Sequence, residues 1–261
     1  MVQLSLRCLA LFLLLLAMAC PAWAQVTLDA TSSTTQASGG NFSWTHTVTS
    51  AGSNRALAVL ISHGAATNNV SGITYNGVSM TRQCRVAGAS QRSTYLYTLV
   101  NPSTGSNTIA VTVTGTTNYI ATAVSATGVD QNNPVAHCHG GAASSTSASA
   151  TVPSTTNQLI IDMIGINSAA TAISPDGSQA AIVNTAVGTH KGGGTYKAGA
   201  ASSTSMQWSW TTAVSYAYLA AALQDAITSF GNITLDATSA GTCTLCASTN
   251  ALTIPHTTGS A

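Results

Sequence analysis

Glutamate is absent from this chain, lysine occurs only at Lys191 and Lys197, and charged residues of all kinds make up 5% of its 261 residues. An ordinary globular protein carries roughly 25%. Each absence excludes something. Without Glu, and with little Lys or Arg, exposed amphipathic helices lose their usual helix formers. The metalloprotease motif H-E-x-x-H cannot be written. A net charge of +1 with scattered basic residues leaves no electrostatic footprint for nucleic acid. Strand edges also lose their ordinary protection, since soluble β-proteins guard them with Lys or Pro. Sticky borders are therefore expected, as in a protein that pairs with copies of itself.

What fills the chain instead is Thr, Ser, Ala and Gly, beside 45% hydrophobic residues and a positive mean hydropathy of +0.27. That hydrophobic content is the opposite of the disordered signature. Arg7, the apolar run Leu9–Ala19 and Ala22-Trp23-Ala24 read as a secretory signal over residues 1–24. The run is too short to span a bilayer, which takes roughly 20 residues. A secreted chain at the cell surface or beyond it is expected.

Short alternating runs rich in Thr, Val, Ile and Tyr, separated by turn residues, predict an all-β fold of two antiparallel sheets in a jelly-roll-like sandwich. Asn76-Gly77 is the strongest hairpin signal, because both turn positions need positive φ. Val78–Arg85 reads as one strand. Leu159–Ile166 reads as a strand buried on both faces, and Tyr216 and Tyr218 alternate as strand residues would. Gly140–Ser149 and Lys191–Gly194 read as small-residue loops.

One repeat organises the rest. Val26–Thr35 returns as Ile233–Thr242, with TLDATS identical in both. The predicted division is a module over 25–224, a linker over 225–232, and over 233–261 a partial second copy of the module's first strands. Ile233, Thr234, Leu235, Leu252 and Ile254 then become assembly-strand candidates, shaped for places the first copy already holds.

Chemical candidates are few. G-x-S-x-G does not occur. Only Asp29, Asp130, Asp162, Asp176, Asp225 and Asp236 could form the carboxylate pair of a glycosidase, and no enzyme is expected. His137 and His139 could join Cys243 and Cys246 in a Cys₂His₂ zinc set, but a solvated strand face and oxidised cysteines are the simpler reading. Of the three pairings open to Cys84, Cys138, Cys243 and Cys246, Cys84–Cys138 and Cys243–Cys246 are favoured. Trp44, Trp208 and Trp210 could stack on sugar rings, although large aromatics more often fill sandwich cores. Asp130-Gln-Asn-Asn and Pro175-Asp-Gly each offer one carboxylate, thin for calcium. No cofactor is expected.

The stretches Ser71–Thr81, Tyr97–Gly105, Ala126–Pro134, Trp208–Trp210 and Tyr218–Leu223 together resemble a β-sandwich module of bacterial secreted proteins and phage-tail-like surface proteins, often repeated. The resemblance implies a sandwich over about Val26–Gln224 and no catalytic residue. Two function classes remain in view. One is a self-assembling extracellular filament or adhesive array, its copies joined head-to-tail by strand addition. The other is a carbohydrate-binding module recognising surface glycans.

Overall fold

The computed structural model describes residues 25–49, 52–88 and 92–226, and within them the chain is all-β. Fifteen strands run in order: β1 (Thr27–Gln36), β2 (Phe42–Val48), β3 (Ala56–His63), β4 (Val70–Tyr75), β5 (Val78–Ser79), β6 (Thr81–Ala87), β7 (Ser93–Val100), β8 (Gly105–Val113), β9 (Tyr119–Thr127), β10 (Val135–Ser154), β11 (Leu159–Ile166), β12 (Ile173–Pro175), β13 (Ala180–Val187), β14 (His190–Ala198) and β15 (Ser202–Leu223). Every ladder is antiparallel.

The antiparallel sandwich is as expected, but it has three sheets where two were predicted. A central sheet in the order β1-β9-β3-β7-β6 lies between an outer sheet, β2-β8-β4-β5, and a third, β10-β15-β11-β14-β13 with β12 added to β15. The reason is written into the central strands. All eight residues of β3 are buried, as are the first six of β7 and the first eight of β9. A strand apolar on both faces needs a layer on each side. Leu57, Val59, Ile61 and Tyr95 face Phe42, Ile73, Tyr75 and Ile109 of the outer sheet. Ala58, Leu60, Leu96 and Val124 face Ile161, Met163, Leu219 and Leu223 of the third.

A third apolar layer comes from β10 and β15, an antiparallel pair of 20- and 22-residue strands. Their register breaks between Ser145 and Ser147. Beyond the break Ala148, Val152, Met206, Trp208 and Trp210 pack on Ile160, Ile164 and Ile166, the far face of β11. That doubling-back buries β11 on both sides, as its apolar run predicts.

Several boundaries differ from expectation, each for a local reason. Val78–Arg85 is two strands: β5 stays in the outer sheet and β6 joins the central one, with buried Met80 at the crossing. Gly140–Ser149 is strand, part of β10. Its residues from Gly140 to Ser144 are exposed, so the apolar alternation that announces a strand is missing. Lys191–Gly194 is also strand, within β14. There Gly193 lies under the Trp208 ring, and a Cβ would overlap it. These glycines are small because neighbours press on them, not because the chain turns. The Asn76-Gly77 turn is as read, with φ of 49° and 77°. Of the predicted linker, Asp225 and Ala226 belong to the module: Asp225 bridges Val129, and the Ala226 amide donates to Gly128 O at 2.8 Å.

Candidate functional site

The repeated sequence occupies two borders of the sandwich. β1 is an edge of the central sheet, paired only with β9, and β2 is an edge of the outer sheet, paired only with β8. The ribbon they form is tied down by Phe42 and Val48, which are buried, and by half-buried Trp44 stacked at 6.2 Å on Phe42. A directional hydrogen-bond chain threads through it. Trp44 Nε1 donates to Ser32 Oγ at 3.0 Å, and Ser32 lies 2.8 Å from His46 Nδ1. His46 Nε2 lies 3.1 Å from Ser125 Oγ on β9, and Ser125 donates to Asp29 Oδ2 at 2.7 Å. The Thr49 amide and hydroxyl also donate to Asp29.

One protonation pattern satisfies every link. The Asp29 carboxylate can only accept, so Ser125 gives it its proton and takes one from His46 Nε2–H, and the Nδ1 of the neutral ring accepts the Ser32 proton while Ser32 Oγ accepts the indole N–H. Burial lowers the His46 pKa to about 4 against the pull of Asp29, so the ring is neutral at pH 7. Burial alone would raise Asp29, but the hydrogen bonds from Thr49 and Ser125 outweigh it and hold the carboxyl below its ordinary range. Asp29 does not contact the ring directly, and Ser32 is engaged on both sides. The arrangement fixes a ribbon; it does not activate a nucleophile.

Two further polar centres lie inside the sandwich. Asp162 on β11 is fully buried, and its oxygens accept from Trp208 Nε1 at 2.9 Å, Tyr218 OH at 2.8 Å, and the Thr195 amide and hydroxyl at 2.8 and 2.6 Å. Gln179 Nε2 adds a longer contact at 3.3 Å. Burial pushes this carboxyl up to about 6 despite those donors. The other centre gathers His63, His190, Arg85 and Arg92. His63 Nδ1 accepts the Ala65 amide, so Nε2–H donates to Tyr95 OH at 3.0 Å. His190 Nε2 lies 2.8 Å from Ser62 Oγ. Burial, reinforced by the arginines, lowers both rings to about 3.

The predicted candidates are scattered. Trp208 and Trp210 do share a strand face, but it is the inner one. Trp208 is 0% exposed and Trp210 6%, so neither offers a ring to a sugar. His137 and His139 lie on border strand β10 with ring centroids 6.1 Å apart. Among the described residues no cluster of three or more His, Cys, Asp or Glu could hold a metal ion. The single carboxylates weighed for calcium cap their own turns: Asp130 takes the amides of Asn132 and Asn133, and Asp176 that of Ser178. Cys243, Cys246, Ile233, Thr234, Leu235, Leu252 and Ile254 lie outside the described residues.

Cys84 and Cys138 form the expected disulfide, joining border strand β6 of the central sheet to border strand β10 of the third with Cα atoms 6.4 Å apart. It closes a sequence separation of 54, and such a bridge contributes roughly 2–4 kcal/mol. Cys84→Ser should therefore lower the thermal midpoint by on the order of 5–10 °C. Calorimetry on oxidised and dithiothreitol-treated protein checks this; identical midpoints would refute it.

The sequence missed the His46 and Asp162 centres, although both left signals. Asp162 interrupts an otherwise apolar run, and His46-Thr47 recurs as His256-Thr257. No protein-family model matches the chain, and neither a curated protein nor a solved structure matches it.

Proposed function

We propose that this is an extracellular structural protein whose copies join by β-strand addition into a filament or adhesive array. The observation that carries the reading is the place of the repeated ribbon. The residues that return in sequence after Ala226 are those that hold two sheet borders in the module. A segment resembling an edge ribbon is suited to an edge, where main-chain hydrogen bonds give affinity without a side-chain pocket.

The remaining borders support it. β5, β10 and β13 carry no Asp, Lys or Arg, only β6 being guarded, by Arg82 and Arg85, and β10 leaves a 20-residue edge paired on one side only. Head-to-tail contacts that do not close build filaments. An extracellular setting suits the disulfide. Among the described residues no helix is long and apolar enough to cross a membrane. The carbohydrate-binding alternative loses its best platform with the burial of Trp208 and Trp210.

Electron microscopy and sedimentation of residues 25–261 beside a version ending at Ala226 test the proposal. The longer protein is expected to form filaments or large oligomers and the shorter to stay monomeric. If both remain dispersed monomers, strand addition fails.

A further inference from the structure

The hydrogen-bond chain of the ribbon β1–β2 takes one side chain from the sandwich body, Ser125 on β9. The other members of the hydrogen-bond chain, Trp44, Ser32, His46 and Asp29, belong to the ribbon itself. The inward-facing positions can be compared with the terminal copy. Aligning Thr27–Ser32 with Thr234–Ser239 puts Leu235 at Leu28, Asp236 at Asp29 and Ser239 at Ser32. Aligning His46-Thr47 with His256-Thr257 puts Leu252 at Phe42 and Ile254 at Trp44.

The likeness therefore goes beyond a repeated phrase. The Asp29 carboxylate and His46 imidazole that meet Ser125, and the Ser32 hydroxyl bonded to that imidazole, are all reproduced, as is the apolar character at Phe42 and Trp44, whereas buried Val48 becomes Thr258. Exposed positions are kept in part: Thr27, Thr31 and Thr47 return as Thr234, Thr238 and Thr257. Thr45, exposed on β2, corresponds to Pro255, which an edge strand accepts where its missing N–H would face away from the sheet. Retention of the Asp, Ser and His that build the hydrogen-bond chain is what a shared binding place requires.

Resting on the strand-addition reading, we infer that residues 234–258 of one copy take the place of β1–β2 on β9 and β8 of a second copy, and that Asp236, Ser239 and His256 rebuild the hydrogen-bond chain on that copy's Ser125. The chain acts as a register key. A slip of one residue turns the whole inward set outward. It also strands Ser125 and a buried imidazole without partners, so only one alignment is satisfied. Each copy brings two ribbons and one place for them. Exchange leaves the number of filled places unchanged, and its extent is set by which ribbon fits better.

Competition for one place predicts opposite effects from equivalent residues. His256→Ala and Asp236→Ala should raise the concentration at which residues 25–261 assemble, by about fivefold for each hydrogen bond lost. Ser32→Ala, which weakens the resident ribbon while sparing the apolar core, should lower it by a similar factor. His46→Ala should act in the same direction more strongly, and the Ser32 variant stands in if that protein fails to fold. Sedimentation velocity across a concentration series reads all four. Assembly by the wild type with no change in either terminal variant overturns the register key and leaves strand addition standing. A wild type that stays monomeric at every concentration overturns both.

Discussion

Replacing Asp162 with alanine is expected to destabilise the sandwich by on the order of 5 kcal/mol. The carboxylate is fully buried and serves four donor residues on two strands and a turn: Trp208 and Tyr218 of β15, Thr195 of β14, and Gln179 from the turn before β13. Its removal leaves an indole N–H, a phenol, a hydroxyl and an amide without an acceptor. One stranded buried group costs about 1–3 kcal/mol, and breaking a buried charge network costs about 3–5. Asp162→Asn preserves shape but turns an amide nitrogen towards either the Trp208 indole or the Thr195 amide, which can only donate, so it should lose nearly as much. For a domain of this size each kcal/mol moves the thermal midpoint by roughly 2–4 °C. Either variant should melt at least 10 °C below the wild type by circular dichroism. Midpoints within a few degrees of the wild type would show that Asp162 does not hold the doubled-back strand pair β10–β15.

The same centre shows what a sequence conveys and what it hides. Strand character was legible because Thr, Val, Ile and Tyr alternate, and Leu159–Ile166 announced a strand covered on both faces. Sheet number was not. Two-sided burial of β3 and β9 is carried by Ala and Ser as much as by Leu, residues small enough to pass for either surface. The glycines of β14 read as a loop because their smallness answers to Trp208 and Ile120, neighbours remote in sequence. Pairing Cys84 with Cys138 was within reach, since few combinations exist. The chain through His46 was half visible: the repeat exposed Asp29, Ser32 and His46, but nothing in the primary structure pointed to Ser125, whose part depends on β1 pairing with β9. Trp208 and Trp210, two apart on one strand, share a face by alternation, and only the folding-back of β10 and β15 decides that the face looks inward.

Mild acid should weaken the protein steeply. Three histidines are buried and neutral: His46 with its pKa lowered to about 4, and His63 and His190 with theirs lowered to about 3. In the unfolded chain each titrates near 6.5. Above that value folded and unfolded chains bind the same number of protons at these sites, and the full contribution to stability is present. Below it the unfolded chain takes up protons that the folded one refuses, so stability falls with pH down to the folded values. Charged neighbours act unevenly on this. Asp29 favours protonated His46, whereas Arg85 and Arg92 oppose a charge on His63, and Arg92 and His63 oppose one on His190. Asp162 acts in the reverse sense. Its raised value near 6 lets the folded chain bind a proton before the unfolded one does, returning part of the loss between pH 6 and about 4. Three sites against one leave a net loss on the order of 4 kcal/mol at pH 5, a large share of the 5–15 kcal/mol typical of a domain. Below pH 4 Asp29 adds to the loss, because its lowered value makes its hydrogen bonds from Thr49 and Ser125 the next to go. Urea unfolding at pH 7 and pH 5 measures the difference. His190→Gln should flatten the dependence by nearly half, on the order of 2 of the 4 kcal/mol. A stability curve level across that interval would mean the three rings are not held neutral in the fold.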